Sequence, residues 1–154
     1  MNETTSTSTG LTVEYFRAAF GALSKGDLSV FRSMYHSDVE WHLPGNPDIN
    51  PHCGIYKGTD EVEGFLRGLI TASGETLEMP VHDVLARGVF TGGLNGRHCV
   101  VLARAEARRG EKVLSSSDVI VFHIREDPAA DGAERLGLIC WFPEDQYGAD
   151  KFWA

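Results

Sequence analysis

The sequence predicts an α+β domain in which three amino-terminal helices pack on the concave face of a curved, antiparallel or mixed sheet. Apolar residues recur at helical spacing as far as residue 72, and after Gly74 they alternate along extended stretches separated by short turns. The 154 residues, 42% of them hydrophobic, suit one domain with a substantial core. Helices that lie on one face of a curved sheet leave part of its concave side unfilled, so an interior pocket is expected.

The three predicted helices have recognisable starting points. The first covers residues 11–23, where Thr12 can cap its start. Gly26 interrupts the pattern, and Asp27 then caps a second, shorter helix. A third helix opens at Thr59 or the residue after it and runs to residue 72.

One short strand, VEWHL at 39–43, is predicted between the second and third helices. The loop that follows, 44–58, holds three prolines and three glycines, and long loops of this kind are often functional. After Gly74 the predicted strands are 77–87, 97–109, 112–124 and 134–142. The carboxyl-terminal segment GADKFWA, 148–154, is expected to be a tail that is polar apart from Phe152 and Trp153.

Composition excludes several partners. The net charge of −8 and an estimated pI of 5.1 argue against nucleic acid and against anionic membranes. No apolar run approaches the ~20 residues of a spanning helix. Residues 1–10 are polar and are expected to be a disordered leader, with the domain at 11–154, so a cytoplasmic location is expected.

The cysteines and histidines give no sign of a metal or cofactor. Cys53, Cys99 and Cys140 are far apart and are expected to be reduced thiols. The histidines lack partners at metal-ligand spacing, so neither a metal nor another cofactor is expected. The glycine-rich segment FTGGLNG, 90–96, lacks the strand-to-helix context of a phosphate loop.

Asp118 is the residue most directly linked to chemistry. It lies in the predicted strand SSSDVIVFHI, 115–124, and alternation places it on the same face as Ile120 and Phe122. Apolar surroundings disfavour a carboxylate, so the pKa of Asp118 is expected to rise until it can serve as an acid or base near neutral pH. The structural alternative is an aspartate at a strand end that faces solvent or pairs with an arginine.

The neighbours of Asp118 depend on the hairpin turn at RRGEK, 108–112. A two-residue loop places Asp118 opposite Ala103, among small apolar side chains that leave space for a ligand. A three-residue loop instead places it diagonal to Arg104 and on the same face as His98. Both lengths fit the sequence.

Four segments together carry a family resemblance: GDLSVFRSMYHSDVEWHLPG (26–45), GIYKGTDEVEGFL (54–66), SDVIVFHIRED (117–127) and CWFPEDQYGADKFWA (140–154). In this order they resemble the SnoaL-like polyketide cyclases and ketosteroid isomerases, which have the cone-shaped nuclear transport factor 2-like fold. The resemblance implies a homodimer formed through the outer face of the sheet. It also implies cofactor-independent chemistry in an apolar pocket.

The resemblance assigns roles to particular residues. Asp118 matches a strand aspartate that is a protonated hydrogen-bond donor in the isomerases and an acid/base in the cyclases. The isomerase general base would fall at Leu43, so this chain departs from that pattern, and His42 is a candidate substitute. A basic residue near Asp118 in the cyclases favours the three-residue loop, with Arg104 as an assisting group.

The same resemblance suggests which residues line the pocket. Trp41 and His42 point oppositely on their strand, so one of them faces the pocket, as a flat wall or as a proton relay. Tyr15 corresponds to a helix tyrosine that donates to the substrate oxygen, and Tyr56 to an aromatic residue at the pocket mouth. Trp141 lines the pocket or packs at the dimer interface.

The expected function is therefore cyclisation or isomerisation of a small, apolar, carbonyl-bearing, polyketide-like substrate, with Asp118 moving a proton. Two alternatives stay open. Epoxide opening on the same fold would need a second acid, for which Glu40 and Glu106 are candidates. A non-catalytic carrier would bind its ligand without Asp118.

Overall fold

The computed structural model of the protein describes residues 11–86 and 97–154, so the expected leader and the FTGGLNG turn lie outside the described residues. The described part confirms the α+β class: a six-stranded curved sheet with helices on one face. In chain order the elements are α1 (Val13–Leu23), α2 (Ser29–Met34), β1 (Tyr35–Leu43), β2 (Gly54–Lys57), α3 (Thr59–Ala72), β3 (Val81–Ala86), β4 (Arg97–Arg109), β5 (Lys112–Asp127), β6 (Ala133–Phe142) and α4 (Gln146–Trp153).

The sheet is mixed. Its strand order is β2-β1-β6-β5-β4-β3. Neighbouring strands are antiparallel except β1 and β6, which run parallel with Trp41 beside Ile139. This one parallel pairing joins β1, with β2 at its outer edge, to the four strands that end the chain's sheet order, β6-β5-β4-β3.

The β4–β5 hairpin closes with a two-residue turn. Arg109 pairs with Lys112, and Gly110 has φ +62°, a conformation that glycine adopts without strain at the first central position of such a turn. Asp118 therefore lies opposite Ala103. The prediction of a three-residue loop is wrong, and a one-residue difference in loop length exchanges the faces of every side chain along the hairpin.

Helix α1 covers the concave face with an apolar stripe. Thr12 caps it by accepting a hydrogen bond from the backbone N–H of Tyr15, as predicted. The ring of Phe16 lies 5.0 Å from that of Phe122 on β5, and Phe20 packs edge-on against Phe31 of α2 at 5.0 Å. These contacts join both early helices to the inner face of the sheet.

Three elements differ from the sequence prediction. Strand β1 starts at Tyr35, before the predicted start at residue 39. A register irregularity between Tyr35 and Glu40 interrupts the alternation there, so the sequence pattern did not show this part of the strand. Strand β2 lies within the expected loop 44–58, where it pairs with the edge of β1. The expected polar tail, 148–154, lies mostly within helix α4. This helix is capped by Asp145, whose side chain accepts from the N–H of Gly148.

Candidate functional site

Asp118 points into the interior of the cone and is 3% exposed. Its carboxyl accepts hydrogen bonds from the indole N–H of Trp141 at 2.6 Å, from the hydroxyl of Ser116 and from the backbone N–H of Glu144 at 3.3 Å. None of the lysines or arginines in the described ranges forms an ion pair with it. The carboxyl is therefore held by neutral donors only.

Burial raises the pKa of Asp118 above its ordinary 3.8, because the charged form loses its hydration. The hydrogen bonds from Ser116, Trp141 and the backbone of Glu144 offset part of this rise, and the nearby Glu144 carboxylate adds to it. The acid form of Asp118 thus persists to higher pH than that of an exposed aspartate. A raised pKa of this kind favours a role in proton transfer.

An aromatic wall extends from Asp118 towards α3. The rings of Trp141 and Trp41 lie 6.4 Å apart, and Trp41 contacts Phe65 at 5.8 Å. Tyr56 stacks on Phe65 at 4.3 Å and donates its hydroxyl to the carbonyl of His52. Trp41, Phe65, Tyr56 and Trp141 thus form one connected group of aromatic side chains.

The indole N–H of Trp41 is buried and has no hydrogen-bond partner among the described residues. Its residue is 1% exposed, so water from the bulk does not satisfy it. Buried N–H groups without a partner are rare because each carries an uncompensated desolvation penalty. A ligand oxygen in the interior would satisfy this donor.

The cavity beside Asp118 has a volume of only about 10 Å³. That is room for one water molecule at most. Leu43, at the position of the isomerase general base, contributes an apolar wall. Helix α4 fills the opening of the cone with Ala149 and Trp153, and this unpredicted helix explains why the expected pocket is closed.

His42 lies on the outer face of the sheet, not in the interior. Alternation along β1 turns Trp41 and Leu43 inward, so His42 points away from Asp118. Its Nε2 lies 3.0 Å from the carboxylate of Glu40, which is on the same outer face. His42 is not brought to Asp118, and Glu40 does not supply a second acid there.

Arg104 and His98 also lie on the outer face. The two-residue turn directs the side chains of β4 to the opposite faces of the sheet from those predicted. The guanidinium of Arg104 donates to Ser115 at 2.6 Å and pairs with Glu106 at 3.4 Å. The imidazole of His98 packs against that of His123 at 4.3 Å. The predicted assistance of Asp118 by Arg104 or His98 is therefore wrong, and Glu106 is likewise outside the interior.

Tyr15 lies at the junction of α1 and α2. Its hydroxyl is 2.7 Å from that of Ser33 in an exposed hydrogen bond, and no contact joins it to Asp118. Sequence reasoning had also overlooked two groups that do contact Asp118, Ser116 and the backbone N–H of Glu144. Alternation along β5 could have indicated the contact with Ser116, because residues 116 and 118 lie on the same face of the strand.

Within residues 11–86 and 97–154, no three histidine, cysteine or acidic side chains are arranged to hold a metal ion. In the same ranges, no helix combines the length and the apolar character needed to cross a membrane.

Replacing Ser116 by alanine is expected to raise the pKa of Asp118 further, because the Ser116 hydroxyl is the strongest of the hydrogen bonds that lower it. The ¹³C chemical shift of the labelled Asp118 carboxyl, followed against pH, measures the change. Ser116→Thr keeps a hydroxyl and should restore the titration, and Ser117→Ala, on the outer face, should leave it unchanged. An unaltered titration in Ser116→Ala would show that the hydroxyl does not stabilise the carboxylate.

A curved mixed sheet that encloses a buried acid and an aromatic wall defines a cone-shaped protein of the nuclear transport factor 2-like class. Residues 16–131 match the family described as SnoaL-like domain, and the chain belongs to this family.

Known relatives agree with this assignment. An uncharacterized protein of Mycobacterium tuberculosis is 27% identical over 142 residues, which cover 92% of this chain and 95% of the relative. The structure of Bal32a, from a soil-derived mobile gene cassette, is similar with a TM-score of 0.75 and 23% identity, over 92% of this chain and 95% of that one. A putative SnoaL-like polyketide cyclase from Jannaschia sp. CCS1 has a TM-score of 0.60 and 16% identity, over 99% and 98%. These structures share the fold.

Proposed function

We propose that the protein is an enzyme that transfers a proton, without a cofactor, to or from a carbonyl-bearing, polyketide-like substrate, leading to ring closure or double-bond migration. The observation that supports this most directly is the buried Asp118 carboxyl, held by neutral donors amid aromatic side chains. Structural carboxylates more often pair with a cation, and Asp118 has none among its contacts. Its raised pKa suits a group that exchanges a proton.

In the proposed reaction Asp118 alternates between its two protonation states. As a carboxylate it removes a proton from the carbon next to the substrate carbonyl, and the Trp141 N–H stabilises it before transfer. As an acid it returns that proton to another carbon or to the oxygen. The N–H of Trp41 has no partner among the described residues, and in the proposed reaction it donates to the oxygen of a substrate that enters the interior, as negative charge develops there. Such a substrate excludes water from the interior, which strengthens both hydrogen bonds.

The test is exchange of carbon-bound hydrogen for deuterium in D₂O, followed by NMR, with a panel of flat aromatic and polycyclic ketones and 1,3-diketones. This readout detects proton transfer before the final product is known. The proposal predicts saturable, enzyme-dependent exchange next to the carbonyl of at least one compound. Saturable binding with no exchange and no turnover across the panel would identify a carrier and refute the enzyme proposal. Epoxide opening is not supported, because Glu40 and Glu106 lie on the outer face.

We further propose a cytoplasmic homodimer formed through the outer face of the sheet. Ile55, Val119 and Phe142 are exposed on this face, and a groove of about 420 Å³ lies beside Ile55 and Phe142. Exposed apolar surface of this kind is costly unless it is covered. The described cysteines are free thiols, as a reducing compartment requires.

Sedimentation velocity should show a dimer for the wild-type protein and a monomer for Phe142→Glu, because a charge in the centre of an apolar interface loses its hydration. Tyr147→Glu is the matched control, since Tyr147 is an even more exposed aromatic residue and lies on α4, away from the outer face of the sheet. A wild-type monomer at tens of micromolar would contradict this arrangement.

A further inference from the structure

Helix α4 stands between Asp118 and solvent. Ala149 and Trp153 of α4 face the same small cavity as Asp118 and Trp141. Trp153 is 4% exposed and packs edge-on against His52 at 5.6 Å, in the loop that precedes β2. No substrate of the proposed class fits in about 10 Å³, so any substrate that reaches Asp118 has to displace this helix.

The helix is tied to the loop by one buried carboxylate, that of Asp150. Asp150 is 4% exposed and accepts from the backbone N–H of Asn46 at 2.9 Å, the side-chain amide of Asn50 at 3.4 Å and the thiol of Cys53 at 3.6 Å. The backbone at Gly45 passes so close that any Cβ there would collide with the Asp150 carboxyl and the Cys53 sulfur. The Asp150 carboxylate therefore fills a narrow recess in the loop that precedes β2.

The other end of α4 is tied to the β4–β5 hairpin. The guanidinium of Arg109 donates to the carbonyl oxygens of Phe152 at 2.7 Å and Ala154 at 2.8 Å. The ammonium of Lys112 donates to the carbonyl of Lys151 at 3.2 Å. These bonds satisfy carbonyl groups that the last turn of a helix leaves without partners.

Both of these attachments are polar, and the packing of Phe152 and Trp153 into the core adds apolar contacts. An eight-residue helix is unstable alone in water, so its docking contacts have to stabilise it. One of its four buried residues is Asp150, which loses its hydration on docking and receives only neutral hydrogen bonds in return. Because α4 is shorter than α3 and buries this carboxylate, we expect its undocking to require less free energy than the unfolding of α3, which buries five apolar residues.

We propose that α4 is a hinged lid over Asp118, which pivots about residues 143–145 and which the Asp150 recess latches shut. Substrate entry and product release pass through the undocked state, and the docked helix shields Asp118 from solvent when no substrate is bound. The role of the lid in gating a reaction rests on the proposed function. The opening of α4 itself does not, and it is measurable without any substrate.

Hydrogen exchange with mass spectrometry, on the full chain, measures the opening directly. The amides of α4 should exchange faster than those of α3 in the wild-type protein, and Asp150→Asn should accelerate α4 by about tenfold or more while α3 stays unchanged. Asp127→Asn is the matched control. Asp127 is equally buried and also accepts several hydrogen bonds, but it holds Ser37 and Ala129 at the far end of β5. Its loss should not affect α4 selectively.

Equal protection of α4 and α3 in the wild-type protein would overturn the lid, as would an equal acceleration of both helices by Asp150→Asn. In the second case Asp150 stabilises the whole fold and α4 is a fixed part of the core.

A reversible crosslink tests the link between opening and access. Asp150→Cys brings a second thiol next to Cys53, and oxidation to a disulfide, verified by free-thiol titration, ties α4 to the loop. The oxidised variant should bind or turn over an active panel compound at least about tenfold more slowly than the reduced one, and reductant should restore the rate. Unchanged rates after complete crosslinking would refute gating. If instead α4 opens by hydrogen exchange while the panel shows no proton transfer, the lid stands and the proposed function fails.

Discussion

Asp118→Asn is expected to lower enzyme-dependent proton exchange on the order of 10²- to 10⁴-fold, the range associated with loss of a general acid or base. Asparagine has nearly the same shape and can still accept the Trp141 N–H and bond to the Ser116 hydroxyl. It cannot exchange a proton. Substrate binding should therefore survive with little change, and the effect should fall on kcat more than on KM.

Two controls separate chemistry from folding. Asp127→Asn removes another buried carboxylate and should leave exchange near the wild-type rate. Circular dichroism should be the same for all three proteins. If Asp118→Asn keeps full activity, the proton is moved by another group and the site must be sought elsewhere.

The stability of the Asp118→Asn variant gives an independent check of the raised pKa. Below pH 3.8, the ordinary value, Asp118 is neutral in both the folded and the unfolded chain and contributes no pH dependence. As the pH rises further, the unfolded chain releases its proton first, so the wild-type protein loses stability until the pH passes the folded pKa. Relative to wild type, Asp118→Asn should thus become more stable over this interval. A constant difference in the free energy of unfolding would mean that burial does not shift the pKa.

Phe122→Ala should lower the free energy of unfolding by about 3–5 kcal/mol, the usual cost of removing a buried phenylalanine ring. Phe122 is fully buried on the inner face of β5 and packs against Phe16 at 5.0 Å and Phe20 at 6.1 Å. Its loss leaves a cavity between the sheet and α1, which rigid neighbours fill only in part. Urea denaturation, with the midpoint and the slope both fitted, measures the change.

The adjacent residue provides the control. Val121 lies next to Phe122 but points to the outer face, where it is only partly buried, so Val121→Ala should cost about 1 kcal/mol. Both variants are compared with wild type at one protein concentration, because a dimer would make stability depend on concentration. Comparable losses of stability in the two variants would contradict the alternation along β5 that places both Phe122 and Asp118 on its inner face.

Local sequence rules predict the parts of this fold that local interactions determine. Helix α1, its Thr12 cap and α3 follow from helical periodicity and capping, both set within a few residues. The inward direction of Asp118 follows from alternation with Ile120 and Phe122. The family resemblance supplied the cone, which no local pattern contains.

The errors arose where tertiary contacts decide between local alternatives. RRGEK accommodates a turn of either length, and the choice reverses the faces of β4, which moved Arg104 and His98 out of the interior. Helix α4 is only eight residues long, so its helical state depends on its packing against the core and on the recess for Asp150 more than on its own propensity. The closed cavity could not be predicted without that helix.

The parallel pairing of β1 with β6 has a consequence for how the chain folds. Strands β4 and β5 are joined by a two-residue turn and can pair as soon as both are synthesised. Strand β1 can pair with β6 only after the chain has been made as far as Ile139, the residue beside Trp41. On a ribosome, β1 and β2 emerge early and remain without their sheet neighbour until β6 is synthesised. The aromatic wall of the site, which joins Trp41 on β1 to Trp141 on β6, therefore assembles among the last parts of the structure. Premature termination before β6 would leave one edge of β1 without its partner strand, and such an open edge is prone to pair with other incomplete chains.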